Sequence, residues 1–273
     1  MRIEIVDKVA RLHVGAGAPP QEIPITQFVK RIAARVDRKP ESAVLPDYVR
    51  AWCERGEAVA IAMEFPPACR SVRWVAGDSP DPFGIDTRYE IRRLSFPYVI
   101  VLSVFHRGML TPINQLYYRT APLSEGEDLL LTNLLNVARH PDGLKSWLCL
   151  LNLSIHPSTS WQDKVGAIGE HVFATGWNRS AEHHEGHSYF NESRSIDERI
   201  ASIDAWEGAS RTNPNFALEV PWLSARTTLT EQLEKMLAAV MPSVPIACVD
   251  DVAGTFNASQ GADRRGRRRR WFL

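Results

Sequence analysis

Three groups of residues have types and spacings that can do chemistry: a cysteine in an apolar run, a histidine-rich segment and an arginine-rich C-terminal stretch. Cys149 lies within Leu148-Cys149-Leu150. A thiolate is a nucleophile for acyl transfer, whereas a thiol bracketed by two leucines also reads as a small buried hydrophobe. No basic residue adjoins it in sequence to favour the thiolate.

The segment His183-His184-Glu185-Gly186-His187, with Glu182 and Glu192 nearby, sets imidazoles at i and i+4. On a helix that spacing shares a metal, and Glu185 would activate a water, as in a metal-dependent hydrolase. However, Glu185 follows the second histidine of the His183-His184 pair, which departs from HExxH. Gly186, Asn178, Ser180 and Ser188 favour a solvated polar loop. No metal and no cofactor is expected.

Arg264, Arg265, Arg267, Arg268, Arg269 and Arg270 precede Trp271-Phe272-Leu273. Guanidinium forks bind phosphates bidentately, and Trp271 or Phe272 can stack on a base. The same stretch can dock on an acidic protein, with Trp-Phe-Leu filling an apolar groove. The plain alternative is an untethered end.

Lys+Arg and Asp+Glu are both 32 in 273 residues, so the formal net charge is zero. Without the six terminal arginines, 26 basic side chains face 32 acidic ones, a body of net charge −6. Bulk electrostatic binding of nucleic acid by that body is excluded, and the tail is the strong anion-binding candidate. Hydrophobic residues at 44% and charged residues at 23% exclude disordered, collagen-like and coiled-coil classes. The longest apolar run, around Val99 to Phe105, is far short of the roughly 20 residues that span a bilayer, so no membrane partner is expected. Cys53, Cys69, Cys149 and Cys248 form no CxxC pair and follow no leader segment, which predicts a reduced, cytoplasmic protein. Neither GxxxxGK[ST] nor GxGxxG is present.

The elements that must position these residues follow from periodicity. Alternation over Arg2–Val14 predicts a strand or hairpin piece, ending at Gly15-Ala16-Gly17-Ala18-Pro19-Pro20. Helical spacing predicts helices over Ile25–Val36 and, more briefly, Asp47–Arg55. Ala58–Val75 reads as strands interrupted at Pro66-Pro67, and Tyr89–Phe105 as the strongest strand region, divided by Pro97 and central to a sheet. A strand fits Gln115–Arg119, while Leu129–Val137 is ambiguous between strand and helix. Ser158 or Ser160 caps a helix whose apolar face runs from Trp161 to Phe173. Gly176–Arg194 reads as polar loop, Ile196–Trp206 and Thr228–Val240 as helices, the latter capped by Thr228 or Thr230. The tryptophans, Trp74, Trp177 and Trp206 among them, read as core.

From Tyr89 to Trp177, about a third of the chain, the arrangement resembles the core of a ubiquitin-conjugating enzyme, particularly the divergent bacterial relatives of plasmid and defence operons. The resemblance lies in strand residues ending Phe96-Pro97-Tyr98, a strand near Tyr117-Tyr118, and Asn136-Val137 with Gly143 following. After Leu148-Cys149-Leu150 come His156-Pro157-Ser158-Thr159-Ser160 and an amphipathic helix, in the family's order. The resemblance implies that Cys149 accepts an activated carboxyl group as a thioester and that Asn136 donates to the oxyanion. It also implies two partners, an adenylating enzyme and a ubiquitin-like modifier. The family's His-Pro-Asn reads Leu134-Leu135-Asn136 here, and the stretch to Cys149 is longer, containing Arg139-His140-Pro141-Asp142-Gly143. His140-Pro141-Asp142 is a candidate displaced equivalent, with Asn136 then a turn residue.

The expected fold is α+β: a central, mainly antiparallel sheet of four or more strands, conjugating-enzyme-like, with helices on one face. An N-terminal appendage (1–42), a core domain (43–240) and a flexible basic tail (241–273) divide the chain. The leading functional expectation is a conjugating-like, thioester-forming transferase. Its alternative is a non-enzymatic assembly or nucleic-acid-associated protein that uses the arginine-rich tail.

Overall fold

A computed structural model describes residues 2–6, 9–13, 21–24, 45–82, 84, 86–124, 126–139, 146–150, 153–179 and 189–240. The chain divides into two units, 42–241 and the remainder, 1–41 together with 242–273. In the second of these, strands β1 (Arg2–Val6), β2 (Val9–His13) and β3 (Gln21–Pro24) form an antiparallel meander. The expected N-terminal hairpin is therefore present. The helix expected over Ile25–Val36 and the arginine-rich stretch lie outside the described residues.

Unit 42–241 is α+β and mostly antiparallel. Its strands are β4 (Val49–Arg55), β5 (Ala58–Phe65), β6 (Ala68–Val75), β7 (Tyr89–Phe96), β8 (Tyr98–His106), β9 (Met109–Arg119), β10 (Asp128–Leu130), β11 (Val137–Ala138), β12 (Trp147–Leu148), β13 (Gly176–Trp177) and β14 (Ser224–Thr228). The larger sheet runs β11-β12-β9-β8-β5-β4, with β10 joining β9 to β14; the smaller runs β13-β6-β7. The helices are α1 (Trp161–Ala174), α2 (Tyr189–Ser193), α3 (Ile203–Thr212) and α4 (Leu229–Val240).

The two sheets share one ribbon. Phe65 pairs with Val99 in the larger sheet and Ala68 with Phe96 in the smaller, so the register continues unbroken across Pro66-Pro67 and Pro97. Proline has no N–H to give a ladder, and the prolines stand where pairing passes from one sheet to the other. Beyond them β8 lies inside the larger sheet, between β5 and β9, and its interior residues are buried. Such strands, covered on both faces, read as continuous apolar runs.

Four sequence expectations are corrected. Asp47–Arg55 is not helical: Val49–Arg55 is an edge strand, because its backbone pairs with β5, with Cys53 opposite Ala60. Only β8 of the Tyr89–Phe105 region is central. Strand β7 is an edge of the smaller sheet, and α3 covers that edge with side chains instead of a strand. Glu207 Oε1 accepts from the Arg93 N–H at 3.0 Å, Ser210 Oγ accepts from the Ser95 N–H at 2.8 Å, and Trp206 Nε1 donates to the Ser95 carbonyl at 3.0 Å. This satisfies polar groups that an open edge would offer to another chain. Ile196–Trp206 is not one helix but a 3-10 turn at Glu198–Ile200 followed by α3, which Ser202 caps by accepting from the Ala205 N–H at 3.1 Å. The polar stretch Gly176–Arg194 holds β13 and α2 in its described parts.

Other local signals match. Ser160 caps α1, its hydroxyl accepting from the Asp163 N–H at 3.1 Å. Thr228 and Glu231 open α4 as a reciprocal pair: the Thr228 N–H donates to Glu231 Oε2 at 3.1 Å, and the Glu231 N–H to Thr228 Oγ1 at 3.4 Å. Phe96, at the bend of the ribbon, lies 5.4 Å from the Trp206 ring, 6.1 Å from Phe173 and 6.5 Å from Tyr118. These edge-to-face contacts join both sheets, α1 and α3 in one core. No helix among the described residues is long and apolar enough to cross a membrane.

Candidate functional site

Cys149 stands at the strand-to-loop junction after β12, half-buried. Pairing of Val137 with Leu148 and of Ala138 with Trp147 sets the β11–β12 register. One step further along it, the Cys149 N–H donates to the Asn136 carbonyl at 3.3 Å. Thus the two residues singled out from the sequence, thirteen positions apart, face each other across one short ladder.

The arm is tied to β9 at its other strand. Trp147 pairs with Gln115, the Leu116 N–H donates to the Ser146 carbonyl at 3.0 Å, and the Ser146 hydroxyl donates back to the Leu116 carbonyl. Trp147 Nε1 donates to the Pro112 carbonyl at 2.9 Å. Held this way, Cys149 lines a cleft of about 220 Å³ with Leu110, Thr111, Asn114, Trp147, Leu150 and Leu153.

The Asn136 carboxamide is engaged on both sides. Nδ2 donates to the Gly176 carbonyl at 3.1 Å and Oδ1 accepts from the Asn178 N–H at 2.8 Å. In effect it pairs with β13 as a strand would, and fixes the arm to the smaller sheet. The residue is buried, 6% exposed, so losing these bonds costs more than at the surface. In this arrangement Asn136 positions the Cys149 arm.

Asn114 is the residue of this site that sequence reasoning missed. It is buried, its Nδ2 donates to the Thr111 carbonyl at 2.8 Å, and its Oδ1 meets no donor. The available signal was the amide pair Asn114-Gln115 just before Leu116-Tyr117-Tyr118, since a buried amide without a full set of partners carries a desolvation cost.

Burial first, and the Glu234 charge second, push the Cys53 thiol up from the ordinary value, which disfavours the thiolate. Among the described residues no group of three or more His, Cys, Asp or Glu side chains is placed to hold a metal. His140, His183, His184 and His187, and Arg264, Arg265, Arg267, Arg268, Arg269, Arg270 and Trp271, lie outside the described residues.

Comparison with known proteins finds no family model, no curated protein and no solved structure that matches this chain.

Proposed function

We propose that the chain is a divergent ubiquitin-conjugating-like protein that carries an activated carboxyl group as a thioester on Cys149. The observation that carries this reading is the placement of a half-buried thiol at a strand end, paired through its backbone to Asn136 and opening on a cleft. The order of antiparallel strands, this arm and helix α1 supports the reading. The implied partners are an adenylating enzyme and a ubiquitin-like modifier.

In the transfer, the Cys149 thiolate attacks the carbonyl carbon of a modifier thioester held on the activating enzyme. The new C–S bond forms as the old one breaks; the departing sulfur takes the electron pair, and the Cys149 proton passes to solvent. The reading requires the sulfur to meet an incoming carbonyl at the strand end, while β12 fixes its backbone. Asn136 acts as a positioning residue, because its carboxamide holds the arm to Gly176 and Asn178.

The test uses a small acyl donor, acetyl-glycyl-glycine thiobenzyl ester, on the native chain, with adducts located by mass spectrometry. Cys149 should acylate ahead of Cys53 and Cys69, with an adduct that added thiol removes. In Cys149→Ser the adduct should form more slowly and resist thiol, as an oxyester does. Protection of Cys149 until the protein unfolds would overturn the reading.

A second reading rests on charge. Six arginines in the last ten residues follow a body of net charge −6, and such a segment suits phosphate or an acidic protein surface. The chain would then be an assembly or nucleic-acid-associated protein without a reactive cysteine. Its binding should fall steeply with salt and vanish on truncation after Gly261; unchanged binding by the truncated chain would sink it.

A further inference from the structure

A second cleft, of about 380 Å³, lies in unit 42–241 between the loop that follows β6, the end of β13, α2 and the start of α3. Its floor is apolar and includes Trp74, Leu135 and Phe190, the rings of Trp74 and Phe190 lying 5.7 Å apart. Its lining also includes three arginines, Arg92, Arg179 and Arg194, and two acidic residues, Glu90 and Asp204.

The charges are not evenly matched. Both carboxylates bind the same arginine: Arg92 meets Glu90 at 2.6 Å and Asp204 at 2.8 Å, and takes Glu207 at 3.1 Å as well. Arg179 and Arg194 meet no carboxylate among the described residues. Their backbones are nevertheless fixed, the Arg179 N–H donating to the Pro82 carbonyl at 2.9 Å and the Arg194 N–H to the Phe190 carbonyl at 3.2 Å. Two arginines with fixed backbones thus line one cleft and meet no carboxylate among the described residues.

We infer that this cleft binds a small phosphomonoester, with the phosphate on Arg179 and Arg194 and the organic part over the apolar floor. Two arginines that meet no carboxylate among the described residues match a phosphate that carries close to two negative charges at neutral pH and offers three acceptor oxygens. A cleft of this size falls within the usual range of about 300–1,000 Å³ for small-ligand sites, which pair apolar linings with few polar groups. Arg92 bonds both Glu90 and Asp204, and the three arginines of the lining outnumber its two acidic residues, so the anion meets a net positive wall. This site is separate from Cys149, so its test is independent of the thioester reading.

The experiment is calorimetric titration of the full chain with adenosine 5′-monophosphate, ribose 5-phosphate and adenosine at low ionic strength. The monophosphates should bind and adenosine should not. Arg179→Gln and Arg194→Gln should each weaken binding about tenfold, the loss of a charged hydrogen-bonding partner, at an unchanged melting temperature. Tighter binding of the nucleotide assigns a nucleotide site, and tighter binding of ribose 5-phosphate a sugar-phosphate site; both uphold the phosphate assignment. Adenosine binding as tightly as its monophosphate, affinities unchanged in the two variants, or no binding of either monophosphate at millimolar concentration would each overturn it.

Discussion

The Lys164 ammonium donates to the Pro157 carbonyl at 2.9 Å from a residue that is 2% exposed. It also donates to the Gly108 carbonyl at 2.8 Å and lies 4.6 Å from the centre of the Trp161 ring. No carboxylate pairs with it among the described residues, so carbonyl dipoles and an aromatic face hold the charge. Through this one side chain the segment that follows Cys149 is tied to the β8–β9 turn, where Arg107 and Gly108 both have positive φ (53° and 78°).

Burial pushes Lys164 below its usual value. Between the folded and unfolded values the unfolded chain binds the proton more readily, so the Lys164 contribution to stability rises with pH across that window. Below the window it is a constant cost. Lys164→Met should lose about 1–3 kcal/mol by leaving two carbonyls without their donor. Urea denaturation from pH 7 to 10 should show the stability difference, wild type minus variant, growing with pH; a difference that stays flat would mean that the ammonium is solvated.

Asn136→Asp tests the positioning role. The carboxylate can still accept from the Asn178 N–H but cannot donate to the Gly176 carbonyl. The variant should therefore be about 2–3 kcal/mol less stable at pH 7, where a buried carbonyl faces an anion. The neutral acid can donate to Gly176, so the folded pKa of Asp at this position is raised. Stability is then present at acid pH and lost as pH rises through that value. Denaturation beside wild type at pH 4 and pH 7 measures it, and equal deficits at both would remove the Gly176 bond from the account.

Two glycines of α1 should respond in opposite directions. A Cβ at Gly166 meets nothing within 4 Å, so Gly166→Ala should stabilise by about 0.5–1 kcal/mol through helix propensity. A Cβ at Gly169 would lie 2.9 Å from two carbons of the Phe65 ring, which itself packs 5.4 Å from Phe173. Gly169→Ala should cost about 1–3 kcal/mol by overpacking. Thermal denaturation decides, and a stabilising Gly169→Ala would mean that α1 stands off the larger sheet.

Glu207 is held below the usual carboxylate range, first by the Arg93 N–H and then by its arginine partners. Its contribution is present above the unfolded value and lost as pH falls through the folded one. Glu207→Ala should cost about 1–2 kcal/mol at pH 7, and the cost should shrink as pH falls below the usual carboxylate range. It also uncovers part of the β7 edge, so light scattering should show earlier association on heating. No change in either measurement would mean that Ser210 and Trp206 guard that edge without it.

Much of the architecture was legible because it rests on short-range rules. The prolines at 66, 67 and 97 marked the strand breaks, Ser160 and Thr228 marked helix starts, and β-branched runs marked β8. Less legible was anything that a distant partner decides. Val49 to Arg55 carries a spacing that suits a short helix, but pairing with β5 outweighs that local preference. Gly176-Trp177 has no strand signature at all; it pairs in parallel with Arg73 and Trp74 and is held by the Asn136 amide.

By itself the sequence determined the class of the fold, most strand and helix positions and the candidacy of Cys149, because periodicity, caps and prolines act within a few residues. Only the tertiary structure decided that Cys149 faces Asn136 across a ladder and that the Asn136 amide is spent on β13. It also decided that Arg179 and Arg194, fifteen positions apart, share a cleft with Arg92, Glu90 and Asp204. Those relations depend on which long-range pairings win the competition for buried hydrogen bonds and apolar area, and the spacing of residues along a chain does not carry that information.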